Sequence, residues 1–221
     1  MIKPIKEYYN NGNIVWERYM VNDNYHREDG PAACKYYING YIETEWYFIN
    51  GQLHRDNYPA KIEYSNNGEI TRETYYIHGR CHNENGPAEI LYYKNGNIRG
   101  EKYYINCQLH REDGPALIYY CLNGNIEHEE YCINDKCHRE DGPALINYNK
   151  DGNIESSNYY INGFYLTNSY HQYKNKLTKE IINSKEDIDI LKIMKLVCIE
   201  NNNKKLLELV ESKIIALQLS V

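Results

Sequence analysis

Five histidines of this chain recur at a constant interval of 28 residues, at His26, His54, His82, His110 and His138. Each precedes the proline of a Gly-Pro-Ala or related tripeptide, at Pro31, Pro59, Pro87, Pro115 and Pro143. A self-similar period of this length is typical of tandem repeats, in which each unit packs mainly on its neighbours. The sequence therefore predicts an array of units and not a fold around one central core.

Each unit carries the pattern of a β-hairpin. Aligned on the prolines, the units read roughly Pro-Ala-x-Ile-x-Tyr-x-x-Asn-Gly-x-Ile-x-x-Glu-x-Tyr-Tyr-Ile-Asn-Gly-x-Leu-His-Arg-Glu-Asp-Gly. The alternation of apolar and polar residues predicts strands, and Asn39-Gly40 and its equivalents predict two-residue turns between them. A three-residue turn with a bulge is the alternative, and it would shift the strand pairing. With an imperfect first copy that begins at Pro4, six hairpins and about twelve strands are expected.

The fold class predicted is mainly β, with two regions. Residues 1–166 are expected to form an elongated, twisted, single-layer antiparallel sheet. Residues 167–221 are expected to form a C-terminal α-helical cap of two or three helices. A capping box at residues 184–187 opens a helix through Glu200, an earlier helix is expected over about 168–182, and Asn201 to Asn203 precede a last helix.

The last helix has an apolar stripe that two hypotheses explain. It consists of Leu206, Leu207, Val210, Ile214 and Leu217. The stripe either packs within the chain, so that the helices cover the end of the array, or forms an assembly helix that makes a homodimer or binds a partner helix. The two roles are compatible.

The two faces of the predicted sheet differ in composition. One face is predicted to hold Ala60, Ile62, Tyr64, Glu73, Tyr75 and Ile77, and this set recurs with little change, so it is predicted to be the packed side. Ile42, Ile70 and Ile98 are expected near the opposite face. The opposite face is more variable and is predicted to contact a partner. Its candidate partner-binding residues are the aromatics Tyr37, Phe48, Tyr76, Tyr93, Tyr104 and Tyr160.

The histidine loops are predicted to be structural. Equivalent atoms of successive hairpins lie ~10 Å apart, whereas zinc–ligand bonds are about 2 Å long, so neighbouring histidines cannot share an ion. The column of Glu17, Glu45, Glu73, Glu101 and Glu129 is expected to pair with the His or Arg side chains. Cys132 and Cys137 are interpreted as structural. No catalytic residue, metal ligand or cofactor site is predicted, and the chain is not expected to be an enzyme.

The net charge and the cysteine content limit the kinds of partner and the cellular compartment that we expect. The net charge of -6 disfavours both nucleic acid and a membrane surface of anionic lipid as partners. No apolar run is long enough for a membrane span. The odd count of 7 cysteines and an N-terminus without an apolar signal stretch predict a cytoplasmic protein that is not secreted.

The Asn-Gly hairpins and the His-Arg-Glu-Asp-Gly-Pro-Ala loops resemble variant MORN-type repeats found in giant DNA viruses and bacteria, over residues 4 to about 165. For a viral protein the resemblance implies the host cytoplasm. The leading hypothesis is a non-catalytic scaffold that binds another protein. The resemblance implies two alternatives: an antitoxin-like neutraliser of a toxic or effector protein, and a peripheral lipid-associated module.

Overall fold

The structure is a computed structural model and describes residues 3–165, 182–183, 185 and 188–219. Strands occupy the chain between Ile5 and Tyr165, and two helices lie between Ile188 and Gln218. The predicted region boundary at residues 166 and 167 lies outside the described residues. So do the predicted helix over about 168–182, apart from Ile182, and three of the four residues of the predicted capping box.

Twelve strands form one continuous antiparallel sheet in chain order. They are β1 (Ile5–Tyr8), β2 (Ile14–Arg18), β5 (Ala33–Tyr36), β6 (Ile42–Trp46), β9 (Lys61–Tyr64), β10 (Ile70–Thr74), β13 (Glu89–Tyr92), β14 (Ile98–Lys102), β17 (Leu117–Tyr120), β18 (Ile126–Glu130), β21 (Leu145–Tyr148) and β22 (Ile154–Asn158). β1 and β22 are the edges, so the sheet is open and not closed. The predicted sheet of successive hairpins is confirmed.

Short strands of two residues pair as six further hairpins, one after each pair of long strands. They are β3 (Met20–Val21), β4 (Asn24–Tyr25), β7 (Phe48–Ile49), β8 (Gln52–Leu53), β11 (Tyr76–Ile77), β12 (Arg80–Cys81), β15 (Tyr104–Ile105), β16 (Gln108–Leu109), β19 (Cys132–Ile133), β20 (Lys136–Cys137), β23 (Tyr160–Ile161) and β24 (Phe164–Tyr165). Each unit therefore contains a long hairpin and a short one, and a histidine loop leads from the short hairpin into the next unit.

The tips of the long hairpins are not the two-residue turns that the sequence predicted. At the second tip, the Tyr37 N–H donates to the Tyr41 carbonyl over 2.8 Å and the Gly40 N–H donates to the Tyr37 carbonyl over 2.9 Å. The loop therefore has three residues, and Gly40 ends it with a φ of +88°. This arrangement is a turn followed by a glycine bulge, which was the alternative reading of Asn-Gly.

The predicted assignment of side chains to the two faces nevertheless holds for most of each long hairpin, because a register shift below each tip compensates for the longer loop. In the second unit the shift lies between Lys35 and Tyr36. Below it, Cys34 pairs with Glu45, which is the register that a two-residue turn would give. Below the shift, residues that were predicted to share a face do share it, as Ile62 and Glu73 show. Two predictions were wrong: Ile77 lies in the separate hairpin β11–β12, and Ile70, which was expected on the opposite face, pairs with Tyr64 above the shift.

The turns of the short hairpins are the ones that contain two residues. Asn50 and Gly51 have φ values of +49° and +78°, and the equivalent Asn106 and Cys107 have values of +51° and +69°. Two consecutive positive φ values define the type I′ turn, whose twist matches that of antiparallel strands. Asparagine begins five of these six turns, and His78 begins the other.

The C-terminal helices are α1 (Ile188–Glu200) and α2 (Lys204–Gln218). α1 contacts the array, because its Ile193, Leu196 and Val197 form a buried cluster with Ile161 of β23. The Asn203 side chain accepts a hydrogen bond from the Leu206 N–H over 3.2 Å and caps the start of α2. None of the described helices is long and apolar enough to cross a bilayer.

The apolar stripe of α2 faces α1 of the same chain. Val210 is fully buried with Leu191, Met194 and Cys198 of α1. The other four residues of the stripe are partly buried against the same cluster: Leu206, Leu207, Ile214 and Leu217. These side chains therefore stabilise the cap itself, and a dimer through them stays a prediction that would require this packing to open.

Replacing Gly96 by alanine tests the bulge at the long-hairpin tips. Gly96 has a φ of +82°, and no atom lies within 4 Å of an added Cβ, so the cost would come from the backbone alone. We expect Gly96→Ala to lower the free energy of unfolding by about 1–2 kcal/mol, as measured by urea denaturation. Gly86→Ala is the control, because Gly86 lies outside the positive-φ region and the nearest atom to its Cβ is 3.8 Å away. Equal losses in both variants would contradict this account of the turn.

Candidate interaction surface

One face of the long sheet carries nearly the same residues in every unit, and we call it the uniform face. Its alanines are completely buried: Ala32, Ala60, Ala88, Ala116 and Ala144. Ile62, Ile118 and Ile146 are buried beside them. Packing between equal neighbours explains the repetition, since each unit must fit the one before and the one after.

The uniform face also contains a row of tyrosine–glutamate hydrogen bonds between successive units, which we call the Tyr–Glu ladder. In each bond a tyrosine hydroxyl donates to a glutamate carboxylate of the preceding unit. The bonds are Tyr36–Glu17 (3.3 Å), Tyr64–Glu45 (2.8 Å), Tyr92–Glu73 (2.6 Å), Tyr120–Glu101 (2.9 Å) and Tyr148–Glu129 (2.7 Å). The expected pairing of this glutamate column with His or Arg was wrong, because the tyrosines of the adjoining strand lie closer.

The histidines bind the short turn of the following unit. The Nδ1 atom of His26 accepts a hydrogen bond from the Asn50 N–H over 3.1 Å, and His138 does the same with Asn162 over 3.1 Å. His54 and His110 accept equivalent bonds from the next turn over 3.3 Å. His82 departs from the pattern, since its Nδ1 is buried without a partner. This geometry agrees with a structural role for the loops.

The arginines of the same loops pack on tyrosine rings and donate hydrogen bonds to the main chain of the loop. The Arg111 guanidinium lies 4.0 Å from the centre of the Tyr103 ring and donates to the Pro115 carbonyl over 3.4 Å. Equivalent contacts of Arg27, Arg55 and Arg139 with tyrosine rings measure 3.8–4.1 Å. Cations over aromatic faces are stabilised electrostatically. The loop side chains thus have structural partners, and among the described residues no histidine loop supplies a group of three potential metal ligands.

The opposite face of the sheet differs from unit to unit, and we call it the variable face. At one of its positions the six units carry Trp16, Thr44, Arg72, Gly100, His128 and Ser156. At the position two residues later they carry Arg18, Trp46, Thr74, Lys102, Glu130 and Asn158. The backbone pairing is the same in these units, so the variation does not reflect a change of fold.

The side chains of the variable face form local clusters of different chemistry. Trp16 and Trp46 stack with ring centroids 5.4 Å apart. Further along, the Arg72 Nη1 lies 3.2 Å from an oxygen of Glu63, and Lys61 lies 2.9 Å from another. Aromatic surface therefore lies beside charges of both signs.

The candidate partner-binding residues divide into two groups. The hydroxyls of Tyr37 and Tyr93 donate to main-chain carbonyls of the next unit over 2.9 and 2.7 Å, so these two residues connect units. The other four occupy one position of the short hairpins and are half-buried: Phe48, Tyr76, Tyr104 and Tyr160. They follow the variable positions in the chain and extend the same surface.

The structure brings together a group that the sequence did not predict. The Glu130 Oε1 atom accepts hydrogen bonds from the Cys137 thiol over 3.0 Å and from the Cys132 thiol over 3.5 Å. His128 Nε2 lies 3.8 Å from the other carboxylate oxygen. The contact with His128 and the two thiols hold the pKa of Glu130 at about 2, and burial raises the pKa of Cys137 to about 11.

One signal in the sequence would have revealed this group. Glu130 is the only carboxylate that the six units carry at its position, and only the fifth unit has a cysteine at the positions of both Cys132 and Cys137. Reading Cys132 and Cys137 by their spacing alone missed this, because Glu130 belongs to a different strand.

Comparison with known proteins adds no family to these observations. No protein-family model matches the chain, and no curated protein sequence matches it. The likeness to MORN-type repeats therefore stays a prediction from the residues.

Removing one hydroxyl tests the contribution of the Tyr–Glu ladder. Tyr92→Phe leaves the half-buried Glu73 carboxylate without its donor at 2.6 Å. We expect the free energy of unfolding to fall by about 1.5–3 kcal/mol, which is typical for hydrogen bonds to charged groups. Tyr41→Phe is the matched control, because Tyr41 is 53% exposed at a hairpin tip. A Tyr92→Phe variant as stable as the control would show that the ladder contributes little.

Raising the pH tests the same bonds through ionisation. Burial, the bond to Glu73 and its charge raise the pKa of Tyr92 above its ordinary value of 10.0. A group whose pKa is raised on folding contributes its full stability below the unfolded pKa and loses it as the pH rises toward the folded one. We expect the free energy of unfolding to fall between about pH 9 and about pH 12, and to fall less in Tyr92→Phe. An identical pH dependence in wild type and variant would contradict this.

Proposed function

We propose that the protein is a non-catalytic scaffold that binds another protein through its variable face. The observation that carries this proposal is the contrast between the two faces of one sheet. The uniform face repeats the residues that join unit to unit, whereas the variable face changes its side chains on a constant backbone. A surface that only had to fold would have no need of such differences, whereas a surface that recognises a partner requires them.

The chemistry of the variable face favours protein as the partner. Stacked tryptophans lie on the same face as the charged cluster of Lys61, Glu63 and Arg72. Aromatic residues and arginine are enriched at protein–protein interfaces, and mixed charge offers no continuous site for a polyanion. Twelve strands at ~4.8 Å each give a length of ~55 Å, enough for a standard interface of ~800 Å² per partner.

We also propose that the protein has no enzymatic role. The contacts of the histidine loops support this part of the proposal. Their imidazoles and guanidiniums are engaged in contacts within the array, as His26 and Arg111 illustrate. Residues that hold turns in this way need no substrate to account for them. The repetition of the loops therefore follows from the repetition of the fold.

Capture from the native host tests the proposal. The full chain, tagged at one terminus, would be used as bait, and bound proteins would be identified by mass spectrometry. The matched comparison is a bait in which Lys35→Ala is combined with Arg72→Ala, since their side chains are 36% and 43% exposed on the variable face. We expect to recover a bound protein with the wild-type bait and less of the same protein with the variant bait.

The purified partner then allows a quantitative prediction. We expect the double variant to bind at least about tenfold more weakly in calorimetric titration, as for substitutions at energetically important interface positions. Glu84→Ala combined with Glu112→Ala is the control, because these side chains are 84% and 86% exposed on the histidine loops. The control should bind like the wild type. The absence of any reproducible partner, or equal weakening by both double variants, would refute the proposal.

The identity of the partner separates the scaffold from its two alternatives. A captured toxic enzyme whose activity the protein blocks would make it a neutraliser. Flotation with liposomes of anionic lipid at low salt would reveal a peripheral lipid-binding module, which the net charge of -6 disfavours.

A further inference from the structure

The fifth unit contains a cluster of three potential metal ligands, one of which, Glu130, belongs to the variable face. One carboxylate oxygen of Glu130 and the sulfur atoms of Cys132 and Cys137 all lie within 4.8 Å of one another. Glu130 ends strand β18, whereas the two cysteines face each other across the short hairpin β19–β20. Among the described residues this is the only such group.

The cluster is peculiar to one unit of the array. At the position of Cys132 the other units carry Met20, Phe48, Tyr76, Tyr104 and Tyr160. At the position of Cys137 they carry Tyr25, Leu53, Cys81, Leu109 and Tyr165. Only the fifth unit has a cysteine at both positions, and it is also the only unit with a carboxylate at the position of Glu130. The full set of potential ligands therefore occurs in this unit alone.

The distances suit a thiophilic ion with tetrahedral coordination. With zinc–sulfur bonds of about 2.3 Å and zinc–oxygen bonds of about 2.0–2.2 Å, ligand atoms lie about 3.5–3.8 Å apart. The Glu130 Oε1 atom lies 3.0 Å from the Cys137 sulfur and 3.5 Å from the Cys132 sulfur. All three ligand atoms lie within 4.8 Å of one another, so their separations are close to those of coordinated ligands.

The surroundings of Glu130 also fit a ligand. Its second carboxylate oxygen lies 3.8 Å from His128 Nε2, and His128 Nδ1 lies 2.8 Å from the Asn147 side-chain oxygen. A carboxylate ligand that is itself held by a neighbouring group is typical of zinc sites. Cys132 is 2% exposed, so the protein shields one side of the cluster from water.

We propose that Glu130, Cys132 and Cys137 bind one zinc ion. Glu130 supplies one oxygen, each cysteine supplies a sulfur, and water occupies the fourth position. On binding, the two thiol protons pass to solvent and two sulfur–zinc bonds form, without any change in oxidation state. His128 is a positioning residue that orients the Glu130 carboxylate and does not contact the ion.

The ion would join the long hairpin of the fifth unit to its short hairpin. This position is close to the helical cap, because Glu140 of the following loop lies 3.1 Å from the Lys192 Nζ atom of α1. The site would therefore stabilise the part of the array that adjoins the cap. Zinc binding at structural sites contributes directly to folding free energy.

Zinc titration of the purified full chain tests the proposal. The chain would be kept reduced with a phosphine, stripped with a chelator and titrated with Zn²⁺ against a chromophoric zinc indicator. We expect one equivalent of zinc to bind, and Co²⁺ in its place to give thiolate-to-cobalt charge-transfer absorption. Wild-type protein that binds no stoichiometric zinc would overturn the proposal.

Variants taken from the other units provide matched controls. Cys137→Leu introduces the residue found at Leu53 and Leu109. Because it removes a ligand, it should weaken zinc binding by more than the loss of an outer-shell partner does, that is, by more than about 100-fold. Cys81→Leu makes the same change in the third unit, where Tyr76 replaces Cys132, and should leave zinc binding unchanged. Equal affinity in wild type and Cys137→Leu, or equal loss in both variants, would overturn the proposal.

Two further variants keep the test decisive. If Cys137→Leu does not fold, as judged by circular dichroism, Glu130→Thr replaces it, because the third unit carries Thr74 at this position. His128→Thr introduces the residue that the second unit carries at Thr44, and should weaken zinc binding by about 10–100-fold while the cobalt charge-transfer bands persist. A native Cys132–Cys137 disulfide with no zinc bound after reduction would refute the site.

Discussion

The array depends on contacts that join each unit to the next at a fixed spacing. The Tyr–Glu ladder is the central one, because its five bonds connect neighbouring hairpins across the uniform face. The hydroxyl satisfies a half-buried carboxylate, and the carboxylate in turn disfavours ionisation of the tyrosine. A hydrogen bond to a charged acceptor is worth about 1.5–3 kcal/mol, so a row of them fixes the register of the units.

This use of one face leaves the other face free to vary. The histidine and arginine loops add contacts between units at one end of the long strands, as His26 shows. Tyrosines beside the tips of the long hairpins add contacts at the other end, as Tyr37 shows. These contacts and the Tyr–Glu ladder together fix the backbone. The strands therefore pair in the same way where the variable face carries Gly100 or His128. Structural constraint and chemical diversity are therefore divided between the two sides of a single layer of strands.

Much of the fold follows from local sequence patterns. The alternation of apolar and polar residues is a property of each strand, and the gap at Asn201 to Asn203 is a property of the helix ends, so both could be read directly. The Asn-Gly tips could not be assigned as securely, because asparagine and glycine tolerate positive φ in both two-residue and three-residue turns. The choice between them depends on pairing further down the strands, for example between Cys34 and Glu45.

The sequence by itself determined the repeat, the number of long strands and the composition of the two faces, because these depend on neighbours along the chain. Only the tertiary structure decided which side chains meet. It paired Glu73 with Tyr92 and not with a histidine or arginine, packed the α2 stripe on α1, and brought Glu130 to Cys132 and Cys137. These contacts depend on how closely strands of different units, and the two helices, approach one another in space. The spacing of residues along the chain does not give these distances.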